Sequence, residues 1–137
     1  MRAVFGDTSY WIALLISTDR LHERAKALSD SLGSTKVVTS EMVLTEFLND
    51  FSERGMFLRQ TAVSLVGDLR QDEDVVIVPQ SSIQFQEALT LYAERSDKSW
   101  SLTDCSSFRI MQRDRMTQAL THDRHFVQAG FQALLRD

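Results

Sequence analysis

Cysteine is nearly absent from this chain, and its scarcity excludes a disulfide framework. Cys105 is the only cysteine in 137 residues, so no disulfide can form within the chain. A protein without disulfides is typical of a reducing compartment. We therefore expect a cytoplasmic protein.

Long hydrophobic runs are also missing. The longest apolar run, residues 10–16, is far too short to span a bilayer, and no basic segment followed by an apolar one opens the chain. The sequence thus predicts a protein that has no membrane partner and carries no secretion leader.

Positive charge is in short supply. Lysine and arginine number 15 against 19 acidic residues, which gives a net charge of -4 and argues against a protein that holds nucleic acid by its overall field. Residues 95–124 are more balanced, and metal ions on some of their carboxylates would turn this region basic. Its bases are Arg95, Lys98, Arg109, Arg113, Arg115 and Arg124, and its acids are Asp97, Asp104, Asp114 and Asp123.

What the chain does contain is ordinary globular composition, with 43% hydrophobic and 25% charged residues. This length and composition predict one domain over residues 1–137 with a proper core. No repeat, low-complexity tract or linker interrupts it.

Short apolar strands alternate with amphipathic helices. Strands are predicted at residues 3–5, 36–39, 75–78, 116–121 and 131–135, and the β-branched run 75–78, closed by Pro79, is typical of a strand buried on both faces. Helices are predicted to begin after Asp19, Ser40, Ser81 or Ser82, and Ser101, with others over residues 8–16 and 58–69. The alternation predicts a three-layer α/β/α fold with a central, mostly parallel sheet of four to five strands.

In such sheets, ligands bind at the carboxyl ends of the strands, and this rule selects Asp7 and Asp123. Each also has a purely structural explanation as a helix N-cap, a role that contributes about 1 kcal/mol. Asp104 stands at the third helical position of a capping box opened by Ser101, which is likewise sufficient reason for an acid there. Glu46 falls opposite its helix's apolar stripe, so a helical wheel predicts exposure to solvent.

These acids are harder to dismiss together. Carboxylates gathered in one pocket raise one another's pKa unless a cation neutralises them. Oxygen ligands of this kind favour Mg²⁺ or Mn²⁺ over zinc.

Four segments in this order resemble the PIN-domain nucleases, and most closely their VapC-type toxin branch. They are "VFGDTSYWIALL", "VTSEMVLTEFLN", "SLTDCSSF" and "ALTHDRHF", which together span nearly the whole chain. The resemblance implies a ribonuclease that hydrolyses RNA phosphodiester bonds with Mg²⁺ or Mn²⁺. It further implies a toxin that pairs with an antitoxin protein and forms a homodimer.

The resemblance also implies roles for particular residues. Asp7 and Asp104 would be the principal metal ligands, Asp123 a further ligand, and Glu46 the acid that completes the pocket. Asp123 or Glu46 would orient or deprotonate the attacking water. Three supporting residues are Thr121, which would hydrogen-bond Asp123 or a metal-bound water, Arg124, which would contact phosphate, and Asp97, a second acid near the pocket.

Several alternatives stay open at this point. His122 and His125 with Asp123 are a weak match to a zinc site, because no further ligand has suitable spacing. Cys105 suggests a Cys–His hydrolase, although a buried filler is the commoner use. Base stacking by Trp100, near the predicted site mouth, is also left open. Rival functions are a catalytically idle PIN-like module that binds RNA or protein, and an RNA-processing nuclease that is not a toxin.

Overall fold

The computed structural model describes residues 2–136, and within that range the chain forms five β-strands and seven α-helices. Over these residues, no helix combines the length and apolar character needed to cross a bilayer. In chain order the elements are β1 (Ala3–Gly6), α1 (Thr8–Leu15), α2 (His22–Ser31), β2 (Lys36–Ser40), α3 (Glu41–Asp50), α4 (Met56–Gln71), β3 (Val75–Val78), α5 (Ser82–Glu94), α6 (Leu102–Arg113), β4 (Gln118–Leu120), α7 (Arg124–Gln128) and β5 (Gln132–Ala133).

The strands form one parallel sheet in the order β3-β2-β1-β4-β5. β1 lies at its centre, where Val4 pairs with Val37 of β2 and Gly6 pairs with Leu120 of β4. The chain places β2 and β3 on one side of β1, then returns to place β4 and β5 on the other. Strand order therefore reverses between β1 and β4, and in open α/β sheets a ligand crevice lies outside the carboxyl ends of the strands at such a reversal.

Helices cover both faces of this sheet. Val4 and Phe5 of β1 are both buried, and successive residues of a strand point to opposite faces. On one face, the Phe126 ring of α7 packs against Phe5 and edge-on against Phe108 of α6, with a centroid distance of 4.9 Å to Phe108. The predicted three-layer α/β/α fold is confirmed, and the sheet is parallel throughout.

Gly6, the last residue of β1, permits a close approach between β1 and the following helix. A Cβ atom at this position would lie 2.7 Å from Cζ2 of the buried Trp11 ring. The ring therefore packs directly on the strand backbone, which fixes how α1 leaves β1. Asp7 is the single residue between the end of β1 at Gly6 and the start of α1 at Thr8.

The prediction that residues 75–78 are buried on both faces is wrong. β3 is an edge strand, and Val76 keeps 47% of its surface exposed. A β-branched run is a local signal that indicates a strand, whereas its place in the sheet depends on the order of all the strands.

Other differences concern element ends. β4 and β5 are shorter than predicted, and α2 begins at His22 because Asp19 accepts a hydrogen bond from the backbone N–H of Leu21 instead of capping the helix. The predicted caps at Ser40, Ser81 and Ser101 are confirmed by hydrogen bonds from the backbone N–H three residues later.

Candidate active site

Asp7 lies at the carboxyl end of β1, on the side of the strand-order reversal. Its backbone N–H donates to the Leu120 carbonyl at 3.1 Å and so ties the end of β1 to the end of β4. Asp7 is the N-cap residue of α1, but its side chain makes no capping hydrogen bond. Instead Oδ2 accepts a hydrogen bond from the Thr121 hydroxyl at 2.8 Å. The capping explanation therefore does not account for this carboxylate.

Thr121, directly after β4, is the centre of a buried hydrogen-bond network. Its hydroxyl donates to Asp7 and accepts from the backbone N–H of Asp123 at 3.0 Å. Ser9 Oγ lies 3.3 Å from the same oxygen, and since Thr121 has already donated its only proton, Ser9 is the donor. Ser9 in turn accepts from the backbone N–H of His122 at 3.2 Å. The network holds the Asp7 side chain and the loop after β4 in one arrangement.

Asp104 and Asp123 approach each other from the starts of α6 and α7. Asp104 completes the predicted capping box, since Oδ2 accepts from the backbone N–H of Ser101 at 3.0 Å. Asp123 caps α7, with Oδ1 accepting from the backbone N–H of His125 at 2.9 Å. The His125 side chain lies between them: Nδ1 is 2.9 Å from Asp104 Oδ2 and 3.4 Å from Asp123 Oδ1.

Glu46 lies on α3 and is exposed, as the helical wheel predicts. Its Oε1 accepts a hydrogen bond from the Thr8 hydroxyl at 2.5 Å, and Thr8 is the residue after Asp7. The Glu46 charge contributes to the raised pKa of Asp7. Glu46 thus belongs to the same site as Asp7. A groove of about 250 Å³ runs beside it, lined by Met42, Thr45, Glu46, Asn49, Gln80 and Thr103.

Burial and like charges raise the pKa values of the inner acids. Burial raises the pKa of Asp7 to about 7, the Asp104 and Glu46 charges add to the shift, and the hydrogen bond from Thr121 opposes it. Burial also raises the pKa of Asp104, with a further contribution from Asp123. The site is therefore a partly desolvated set of acids that a cation would stabilise. Asp104, Asp123 and His125 each offer one ligand atom. These three atoms lie within 4.8 Å of one another, which is close enough to share a metal ion.

The structure places two supporting candidates at the protein surface. Both oxygens of Asp97 accept from Arg95, at 2.9 and 3.0 Å, and this hydrogen bond lowers the Asp97 pKa. Arg124 is exposed at the first residue of α7, next to Asp123 in the chain. Asp97 is thus engaged with a neighbour outside the acidic cluster, and a phosphate contact by Arg124 stays a prediction.

Two alternatives lose support. Cys105 is fully buried and its pKa is raised by burial, which disfavours the thiolate that a Cys–His hydrolase requires. Trp100 is buried, stacks edge-on against Phe108 at 4.9 Å and donates from its indole N–H to Gln128. It is a core residue and not a platform for a base.

Sequence reasoning missed Thr8 and Ser9 and undervalued His125. Thr8 and Ser9 directly follow Asp7 in the chain, and this adjacency is the sequence signal that identifies them as candidate site residues. The sequence suggests only the neighbouring His122 and Asp123 as partners of His125, whereas its other contact, Asp104, comes from a different helix.

Comparison with known proteins supports the same assignment of fold. The profile of the PIN domain matches residues 4–132. The chain is 30% identical over 129 residues to "23S rRNA-specific endonuclease VapC20" of Mycobacterium tuberculosis, in strains CDC 1551 and H37Rv, covering 93% of this chain and 95% of that protein. The crystal structure of M. tuberculosis VapC20, described as a Sarcin-Ricin loop cleaving toxin, superposes with a TM-score of 0.83 at 27% identity over 93% of this chain and 95% of that one.

Proposed function

The chain belongs to the PIN-domain family, and from this membership we propose that it is a divalent-metal-dependent endoribonuclease, the toxin of a toxin–antitoxin pair. We further propose that residues 1–137 form a single domain that acts in the cytoplasm. The endonuclease activity of a relative that aligns over nearly the whole of both chains supports the reaction.

One observation carries the proposal. Asp104 and Asp123 each offer an oxygen within 4.8 Å of the other and of His125, and the Thr121 hydroxyl joins Asp7 Oδ2 to the backbone N–H of Asp123. Asp7 is only 5% exposed, and an ionised carboxylate in that position is costly without a compensating cation. Helix capping does not explain this cost at Asp7, since the Asp7 side chain does not cap its helix.

The donor set fits a hard divalent cation. Asp7, Asp104 and Asp123 would hold the ion and Glu46 would complete the pocket, and carboxylate oxygens are the ligands that Mg²⁺ and Mn²⁺ prefer. When bound, such an ion lowers the pKa of water and stabilises charge on a phosphate. The identity of the ion, Mg²⁺ or Mn²⁺, is part of the proposal.

The chain's own residues orient the ligands and move the proton. The Thr121 hydroxyl holds Asp7 Oδ2, and the Ser101 N–H holds Asp104 Oδ2. Glu46 is exposed, and the Asp123 side chain keeps 34% of its surface, so both are open to solvent. One of these two carboxylates accepts the proton of the attacking water.

The substrate we propose is RNA, and ribosomal RNA is the first to test because of the relative named for cutting 23S rRNA. Recognition of single-stranded or looped RNA depends on shape and on unpaired bases, for which the sequence carries no transferable code. Arg124, exposed beside Asp123, is the side chain we propose for a phosphate contact.

We also propose a protein antitoxin and a homodimer. Exposed apolar side chains support such contacts: Met56 and Phe57 open α4 with 74% and 78% of their surfaces exposed, and Ile83 of α5 has 74% exposed. Exposed large apolar side chains, such as the adjacent Met56 and Phe57, are candidates for contact with a protein partner.

The nuclease is tested by RNA cleavage in Mg²⁺, in Mn²⁺ and in EDTA. Wild-type protein and Asp68→Asn, an exposed α4 acid chosen as the matched control, are expected to cleave with metal and not in EDTA. Asp7→Asn and Asp104→Asn are expected to be inactive. Equal cleavage by all four proteins would rule out the mechanism, and folded wild-type protein that binds RNA without cutting it would favour the idle binding module.

The toxin role has its own test. Expression of the wild-type chain is expected to arrest growth, and co-expression of an open reading frame adjacent to its gene is expected to relieve the arrest. Cleavage in vitro without growth arrest would favour the RNA-processing nuclease.

A further inference from the structure

His125 is placed as a metal ligand would be, although no acid-based account of the site uses it. Its Nδ1 lies 2.9 Å from Asp104 Oδ2 and 3.4 Å from Asp123 Oδ1. Two ligand atoms that are adjacent in an octahedral site with bonds of about 2.1 Å lie about 3 Å apart. The separations observed between His125 and the two carboxylates are therefore those expected of three atoms around one ion.

The other imidazole nitrogen has a partner that suits this role. His125 Nε2 lies 3.5 Å from the Ser99 hydroxyl. A metal-bound histidine normally donates its second ring N–H to such a group, which sets the tautomer and the ring orientation. A hydroxyl both donates and accepts, so Ser99 can partner Nε2 whether Nδ1 donates to Asp104 or binds a metal with its lone pair.

We propose that His125 is a nitrogen ligand of the metal site, shared with Asp104 and Asp123, and that it favours divalent transition ions such as Mn²⁺ over Mg²⁺. Imidazole suits transition metals, whereas Mg²⁺ prefers oxygen ligands alone. The assignment rests on the proposed function, because it concerns the same metal site. A histidine ligand would make the site prefer Mn²⁺ over Mg²⁺, a preference that four carboxylate ligands alone do not give.

The decisive measurement detects nitrogen bound to the metal and does not depend on activity. Protein labelled with ¹⁵N-histidine, purified without a histidine tag, is loaded with substoichiometric Mn²⁺ and studied by electron spin echo spectroscopy. A ¹⁵N coupling to Mn²⁺ is expected in the wild-type protein. The chain has three histidines, so the source of the coupling can be assigned by substitution.

His125→Asn is the informative variant, because its amide N–H₂ keeps a donor near Asp104 while removing the imidazole. The coupling is expected to disappear, and Mn²⁺ affinity measured by calorimetry is expected to fall by at least about tenfold, with a smaller change for Mg²⁺. His122→Asn, three residues earlier in the chain, is the matched control and should keep the coupling. Circular dichroism establishes that each variant is folded.

The outcomes separate this inference from the proposed function. If wild-type protein binds Mn²⁺ at the acids, and loses that binding in Asp104→Asn, but shows no nitrogen coupling, His125 is not a ligand and the nuclease proposal stands. An equal loss of Mn²⁺ and Mg²⁺ affinity in His125→Asn would overturn the claim of metal preference. If Mn²⁺ does not bind to the wild-type protein but Mg²⁺ does, the His125 inference fails and the nuclease proposal stands; if neither ion binds, both proposals fail.

Discussion

Two clusters of ionisable side chains differ in what balances their charge. On the surface after α5, Asp97 is paired with Arg95, which lowers the Asp97 pKa. At the carboxyl ends of β1 and β4, the charges that act on Asp7 are those of Asp104 and Glu46, and they raise its pKa further. The first cluster is balanced by its own arginine, whereas Asp7 in the second is buried beside like charges, a setting in which a bound cation would stabilise it.

The comparison shows why an aspartate's residue type says little about its role. Asp97 is in water beside a permanent positive charge, and a surface pair of this kind contributes little to stability. Asp7 is buried, and the hydrogen bonds that oppose the rise in its pKa come from neutral groups, the Thr121 hydroxyl and the Thr8 backbone. The buried, uncompensated carboxylate is therefore the one expected to serve function at a cost in stability.

The largest expected effect is on catalysis. Asp7→Asn is expected to lower RNA cleavage by roughly 10³-fold, because it removes a charge at the site of metal binding. Asp97→Asn, the matched substitution in the other cluster, is expected to change cleavage less than about twofold. Initial rates with a defined RNA measure both, and similar losses in the two variants would erase the distinction between the clusters.

The second effect is on stability as a function of pH in the metal-free protein. The Asp7 pKa is raised from 3.8 to about 7, so the folded state holds a proton that the unfolded state releases between these values. The free energy of unfolding should therefore fall as pH rises from about 4 to 7, by about 4 kcal/mol from Asp7 alone. Urea unfolding in EDTA should show Asp7→Asn more stable than wild type above pH 7 and equal to it near pH 4.

A metal-induced thermal shift is the third effect. Mn²⁺ at about 100 times its dissociation constant is expected to stabilise the wild-type protein by about 2.7 kcal/mol, since it binds only the folded state. Asp97→Asn should shift equally, and Asp7→Asn should shift much less. A full shift in Asp7→Asn, followed by differential scanning fluorimetry, would place the ion elsewhere.

The smallest effect concerns Thr121, which positions Asp7 and does not touch the reacting groups. Thr121→Val leaves Asp7 Oδ2 and the Asp123 N–H without their shared partner, and kcat is expected to fall about tenfold with little change in KM. Thr121→Ser keeps the hydroxyl and is expected to restore most of kcat. A rise in KM alone, or no rescue by serine, would contradict a positioning role.

Local patterns predicted the elements well but gave no prediction of the strand order in the sheet. The capping box at Ser101 and the caps at Ser40 and Ser81 were predictable because each involves residues three apart in the chain. The edge position of residues 75–78 was not, since it depends on how the other strands pair. The acids were found one by one from their positions after strands and at helix starts, and as a set from the family resemblance.

By itself, the sequence determined the alternation of strands and helices and the placing of Asp7 and Asp123 after strands, because periodicity and capping act over a few residues. Only the tertiary structure decided that Thr121 binds Asp7 across a sequence separation of 114 residues and that His125 lies against Asp104. The physical reason is the pairing of β1 with β4, which brings distant strand ends together and excludes water between them. The burial that accompanies this pairing, which no short segment contains, raises the pKa of Asp7 and sets it apart from the surface aspartates.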